Sequence, residues 1–219
     1  MSTEAPTSAP TARTEFHRRP QRGAHDRGSV DAILDAGVVG QIGYLMDGEP
    51  RVLPTLYWRT GDHIYWHGAR ESRALLAMIG RQVCFTVTLL DGLVMARSAF
   101  HHSANYRSAM AFGEAEAVQG EAAKLAATQA LMDRLYPGRW KDIRPPSRPE
   151  LAATLVLRLP LSEASAKVRT GPPIDAPRDL SQPGWAGVIP VSLQAGAAEP
   201  APDLRPGGAA LARPPWLGA

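Results

Sequence analysis

The sequence predicts a mainly β fold with peripheral helices (α+β), arranged as a small antiparallel barrel. Three observations carry this. Short runs with two-residue alternation recur through the middle of the chain, separated by turn dipeptides at Asp47-Gly48, Gly61-Asp62 and Asp91-Gly92. Helical periodicity is confined to a short early segment and two insertions between strands, too sparse for the strand–helix alternation of a parallel sheet. No GxGxxG or Walker A sequence occurs, which removes the ordinary dinucleotide and P-loop folds.

Residues 1–28 are rich in Pro, Ala, Thr, Arg and Gly without apolar periodicity, and read as a disordered leader. A single domain is expected over 29–194, followed by a flexible Pro/Ala/Gly-rich tail over 195–219. The first helix is expected from Ser29, as its cap, to Ala36, with Gly37 ending it. VVGQIGYLM reads as a strand that turns at Asp47-Gly48 into a second. In that second strand Val52, Pro54, Leu56 and Trp58 share one face, and Arg51, Leu53, Thr55, Tyr57 and Arg59 the other. Pro54 lacks an amide hydrogen and argues for an edge or irregular position.

A turn at Gly61-Asp62 then leads through IYWH to a helix beginning near Ser72. VCFTVTLL, LVMARSAF and YRSAMAFGEAEAV supply further strands, the first two separated at Asp91-Gly92. EAAKLAATQALMDRLY reads as a long amphipathic helix with Ala122, Leu125, Met132, Leu135 and Tyr136 on its apolar side and Gln129 interrupting it. LAATLVLRL is the last expected strand, ending at Pro160 before the polar segment SEASAKVRTGPP. There are no internal repeats.

The formal charge of +3 is largely an end effect, because residues 1–28 hold five Arg against three acidic residues. No basic stripe runs through the middle, which argues against nucleic acid. Cys84 is the only cysteine, so there is no intrachain disulfide and no cysteine metal site; burial in VCFTVTLL makes it an inert thiol. No apolar run is long enough to span a bilayer and the start does not resemble a signal peptide, so a cytoplasmic protein is expected.

Four groups of residues carry ligand chemistry. Arg70, Ser72 and Arg73 bring guanidiniums and a hydroxyl to a helix start, a phosphate-holding arrangement; a solvated first turn with Ser72 as plain cap fits equally. His63, Tyr65 and His67 alternate on one strand face with Trp66 opposite, and His67 immediately precedes the clamp. The dense polar run HHSANYRS offers Asn105, Arg107 and Ser108 as hydrogen-bonding groups, or forms a capped surface loop. Lys167 and Arg169 share a face and would reach an anion or a partner, or protect a solvated edge. The histidines at 63, 67, 101 and 102 lack the spacing signature of a metal site, and no metal is expected.

At these residues the sequence resembles the pyridoxamine 5′-phosphate oxidase-like, FMN-binding split-barrel proteins, in particular the flavin-nucleotide-binding and nitroimidazole-resistance branch. The resemblance runs over about residues 25–192 and rests on RVLPTLYW, IYWHGARESRALL, HHSANYRSAMAFGEAE and SEASAKVRTGPP. It implies an FMN-binding split β-barrel, a homodimer with the cofactor at the subunit interface, and a small-molecule substrate. Ser72 and Arg73 would bind the FMN phosphate, helped by Arg70. Arg51, Val52, Leu53, Pro54 and Thr55 would run along the isoalloxazine edge. Trp66 and His67 would border the ring, Asn105, Arg107 and Ser108 would approach from the neighbouring strand, and Lys167 and Arg169 would complete the site.

One departure matters. The oxidase itself carries a C-terminal Trp followed by Arg-x-His, whereas Trp185 here precedes AGVIPVSLQ. Pyridoxamine phosphate oxidation is therefore not expected. The leading expectation is an FMN-dependent oxidoreductase with reduced flavin passing electrons or hydride to a small organic acceptor, and with His67 as proton donor or orienting group. A non-catalytic flavin or haem binder and a deazaflavin-dependent reductase are the alternatives.

Overall fold

Asp26, not Ser29, starts the first helix. In the computed structural model, which describes residues 10–204 with Leu211 and Pro214, α1 runs Arg27–Ala36 and the Asp26 carboxylate accepts from the Ser29 amide at 2.8 Å. The extended backbone of Asp26 suits an N-cap, and hydrogen bonding to the amide holds its pKa below the ordinary value. Val30, Ile33 and Leu34 face the core.

The hairpin from β2 (Val39–Met46) to β3 (Glu49–Thr60) turns at Asp47-Gly48, where both residues have positive φ. This matches the mirror-image turn that the twist of a hairpin favours. β3 pairs with β2 along Glu49–Leu56, and only its last four residues, Tyr57–Thr60, pair with β4 (His63–Ala69). Pro54 thus lies where β3 has one neighbour, and its missing N–H costs no ladder bond. Ser72 caps the short α2 (Arg73–Met78), accepting from the Leu75 amide at 3.5 Å.

Asp91-Gly92 is not a turn. β5 is continuous over Gln82–Met95, with an irregularity between Leu90 and Gly92. Glycine is needed there for a different reason: β10 (Gly187–Pro190) pairs alongside, and a Cβ on Gly92 would meet Val188 Cγ1 at 2.9 Å. β6 (Ser103–Glu114) pairs with β5, and its continuation β7 (Glu116–Ala117) pairs with β8 (Thr154–Pro160). Because β8 also pairs with β4, the chain crossing from β6 to β7 closes the sheet around β2, β3, β4, β8 and β5. All strand pairings are antiparallel, as expected of a split barrel.

Ile42, Tyr57, Ile64, Trp66, Phe85 and Leu157 fill the interior. A second cluster of Trp58, Val118, Ala127, Leu131 and Val156 lies beneath α3 (Glu121–Leu135). Ala127 and Leu131 are the buried line of α3; of the expected stripe, Met132 and Leu135 pack partly against the same cluster and Ala122 is exposed. The segment Leu151–Ala153, expected as strand, ends the short helix α4 (Arg148–Ala153), where Ser147 and Glu150 form a capping box.

Two segments that lie outside the expected strands and helices are ordered. SEASAKVRTGPP contains β9 (Ala164–Arg169), paired with β6. From residue 10 the leader forms a strap across the same edge. Thr14 is buried, Arg13 pairs with Glu163, and β1 (Gly23–Ala24) pairs with β9. Phe16 lies over Gly23, where a Cβ would fall within 2.1 Å of its ring. Residues 1–9 of the expected leader lie outside the described residues. In the expected tail, 195–204 carry no helix or strand, and most of the remainder is outside the described residues.

Candidate functional site

The residues singled out in the sequence separate into two groups in the structure. The first surrounds the β2–β3 hairpin. Arg51 is exposed and pairs with Glu49 at 2.8 Å; Val52 and Pro54 are exposed, while Leu53 and Thr55 are partly covered. The Arg73 side chain is 81% exposed and has only a loose contact with Asp47, at 3.9 Å. Arg70 instead lines a cleft of about 440 Å³ between α2, α3 and α4, with Leu76, Gln119 and Lys124. Arg70 thus faces a cleft that neither Ser72 nor Arg73 lines.

Trp66 takes no part in an open site. It exposes no surface and belongs to the barrel interior, where its indole Nε1 has no hydrogen-bond partner. Period two buries Ile64 and Trp66 and turns His63, Tyr65 and His67 outward. His67 keeps an exposed edge while its ring lies 5.9 Å from that of Trp58, and crowding by the protein lowers its pKa below the ordinary imidazole value.

The second group lies on β6 and β9. Arg107 forms a bidentate pair with Asp91, at 2.9 and 2.8 Å, which raises its already high pKa through the hydrogen bonds. Ser108 donates to the Lys167 carbonyl at 3.4 Å. Arg169 is buried, donating to Asn105 Oδ1 and to the carbonyls of Gly171 at 2.9 Å and Pro172 at 3.0 Å. Asn105, also buried, donates to the Gly171 carbonyl at 3.2 Å. Arg107 and Asn105 are thus already committed within the protein.

Lys167 and Arg169 open onto a cavity of about 560 Å³ whose other wall is the leader strap, with Arg18, Arg19 and Arg22. Sequence reasoning missed those three arginines. Their signal was present as charge, but the leader has no apolar periodicity, and the strand pairing of Gly23–Ala24 that fixes it is a long-range contact. His101 and His102 also line this cavity. His101 Nδ1 lies 2.7 Å from Ser98 Oγ, and His102 Nδ1 lies 2.9 Å from the Ser98 carbonyl. Among the described residues, no three His, Cys, Asp or Glu side chains gather for a metal ion.

The model of the pyridoxamine 5′-phosphate oxidase family matches residues 26–168, more than half of the chain. The chain belongs to this family. Its fold is shared with the flavocytochrome Anf3 of Azotobacter vinelandii, at 42% identity, covering 96% of this chain and 97% of that one, with a TM-score of 0.87. An FAD and haem binding protein from Mycobacterium smegmatis matches at 38% identity, 89% and 95% coverage and a TM-score of 0.82. A candidate 5-nitroimidazole antibiotic resistance protein from Bacteroides thetaiotaomicron shares the fold at 23% identity, 67% and 86% coverage and a TM-score of 0.55. No curated protein matches. No helix among the described residues is long and apolar enough to cross a membrane.

Proposed function

We propose that this family member is a flavin-binding oxidoreductase that works as a homodimer. The observation that carries the reading is the one-sided stretch of β3. Residues Arg51–Leu56 pair only with β2 among the described strands, leaving their outer backbone edge open, and the exposed Arg73 guanidinium at the start of α2 comes to 3.9 Å from Asp47 in the β2–β3 turn. An open edge can bond the polar rim of an isoalloxazine, and an uncommitted guanidinium at a helix start suits a phosphate. These residues fit the cofactor. The flavin supplies the electron chemistry when bound; the chain supplies position, hydrogen bonds and exclusion of water.

FMN is the cofactor that the family resemblance implies. His67, on the outer face of β4, supplies or orients a proton for the acceptor. The exposed apolar side chains Val39, Leu45, Val52, Leu90 and Met110 support a second copy of the chain as partner. A cytoplasmic setting and a small organic acceptor complete the reading.

A second reading adds haem. Two relatives support it, one a flavocytochrome and one an FAD and haem binding protein. In this chain His101 and His102 have their Nδ1 atoms engaged by Ser98, which leaves Nε2 of each for an iron. The deciding experiment is the visible spectrum of protein purified without added cofactor, with released ligand identified by mass spectrometry. Stoichiometric flavin supports the first reading, and a Soret band beside it the second. A colourless protein that also refuses added FMN and FAD overturns both.

A further inference from the structure

The cations that line the cavity under the leader strap, Arg18, Arg19, Arg22, Lys167 and Arg169, meet no carboxylate in its lining. Asp179 lies behind His101, with a carboxylate oxygen 3.8 Å from its Nδ1. Arg169 is only 5% exposed, and its acceptors, Asn105 and two backbone carbonyls, are all neutral. A buried guanidinium ordinarily has a carboxylate partner, because taking an unpaired charge out of water is expensive. Burial lowers the Arg169 pKa, and the nearby charge of Arg22 lowers it further, a sign of cations crowding one another. Arg18, Arg19 and Arg22 have no ion-pair partner among the described residues.

The strap holds these groups in place against a cost. Arg19 sits in the left-handed region at φ 59°, a conformation unfavourable for a side chain of its size, immediately before the 3-10 turn Pro20–Arg22. Lys167 is held 5.5 Å from the ring of Phe16. Phe100, 90% exposed, and Tyr106 line the same cavity, so flat apolar surface accompanies concentrated positive charge. At about 560 Å³ the space is of small-molecule size.

We propose that this cavity is an anion site for the paired anionic groups of a ring-bearing cofactor. Resting on the flavin and haem readings above, that chemistry has two sources: the diphosphate of a flavin dinucleotide, in which case the phosphates lie here and not at the Ser72–Arg73 helix start, or the two propionates of haem. In either case the leader is part of the binding machinery, and its arginines select a cofactor with two anionic groups over one with a single phosphate.

The test is titration calorimetry on the full chain and on an Arg18→Ala/Arg22→Ala double variant, with inorganic pyrophosphate, FMN, FAD and haemin as probes. Arg18 lies on the surface and Arg22 is partly exposed, so unchanged thermal unfolding is expected; an Arg22→Lys variant, which restores charge, should recover binding. Pyrophosphate should bind the wild type and weaken at least about tenfold in the double variant. Loss of a preference for FAD over FMN assigns the diphosphate. Weakened haemin with both flavins unchanged assigns the propionates. A protein that binds pyrophosphate through these arginines but takes no flavin or haem keeps the anion site and sinks the cofactor readings. Equal binding of all four probes by wild type and double variant overturns the anion site and leaves flavin binding standing.

Discussion

Asn105 Oδ1 accepts a hydrogen bond from the Arg169 guanidinium, and both side chains are buried. The amide is the only side-chain partner among the acceptors of this cation; the others are the Gly171 and Pro172 carbonyls. Asn105→Leu removes the acceptor and leaves a buried donor short of one bond, which costs about 1–3 kcal/mol. Urea unfolding should show this as a lower midpoint with an unchanged slope. Asn105→Asp supplies the missing negative charge, so it should be more stable than Asn105→Leu and bind pyrophosphate more weakly than wild type.

Tyr57 closes the end of α1 from the barrel side. Its hydroxyl donates at 2.6 Å to the carbonyl of Leu34, one of the carbonyls that a helix end leaves without an intrahelical partner. Gly37 follows with ordinary extended φ, and a Cβ there would fall 2.6 Å from Tyr57 Oη. Arg134 donates to the Gly37 carbonyl at 2.9 Å. Tyr57→Phe should cost about 1–3 kcal/mol by leaving that carbonyl unsatisfied, and Gly37→Ala should also destabilise by displacing the phenol. Burial pushes the Tyr57 pKa well above its ordinary value. In an alkaline absorbance titration one tyrosine should therefore stay silent until the protein unfolds, and Tyr57→Phe should remove it.

Those two contacts also show what the sequence could and could not reveal. Local patterns carried the hairpins at Asp47-Gly48 and Gly61-Asp62, the cap at Ser72 and the edge character of Pro54, because each depends on neighbours in the chain. Asp91-Gly92 misled because a glycine wanted for close approach of β10 looks the same in sequence as one wanted for a turn. The strap was invisible for a related reason: Gly23–Ala24 is ordered by pairing with Lys167 and Ala166, far along the chain. The family resemblance set Trp66 beside the ring, but two-residue alternation, which already put it opposite His67, turns it into the barrel interior. A site formed by Lys167, Arg169 and the leader arginines depends on those same long-range contacts.

The histidines on β4 give the stability a pH dependence. Burial lowers the pKa of His67, and burial followed by the charge of Arg158 lowers that of His63. Each folded-state pKa thus lies below the unfolded value near 6.5. Below that value the unfolded chain takes up protons that the folded chain resists, so stability is full above about pH 6.5 and falls as the pH drops toward the folded pKa values. Urea midpoints measured from pH 8 to 5 should decline on the acid side, and His67→Gln should flatten part of the decline. A midpoint independent of pH in this window would remove the argument.

The same His67 edge carries the proposed proton role. The side chain lies outside the barrel interior and lines neither the leader cavity nor the cleft beneath α2. His67→Ala should therefore leave most of the flavin bound while slowing reoxidation of reduced flavin by an acceptor, by about 10²–10⁴-fold if the imidazole is a general acid. The rate measured per bound flavin is the decisive quantity. Flavin lost in proportion to activity, with unchanged turnover per bound cofactor, assigns His67 to positioning instead.

Arg73 offers the sharpest separation of binding from folding. Its guanidinium is 81% exposed and meets only Asp47, at 3.9 Å. A surface pair of this kind is worth about 0–1 kcal/mol, so Arg73→Ala should leave the unfolding midpoint almost where it was. A phosphate held by the same group would gain a charge-assisted bond worth about 1.5–3 kcal/mol. FMN should then bind Arg73→Ala at least about tenfold more weakly, measured by quenching of flavin fluorescence. Asp47→Ala serves as the control: it removes the carboxylate that competes for Arg73, and FMN affinity should hold or rise. Equal FMN affinity in wild type and Arg73→Ala would locate the phosphate away from the α2 start and leave the open β3 edge as the only support for flavin on this side of the barrel.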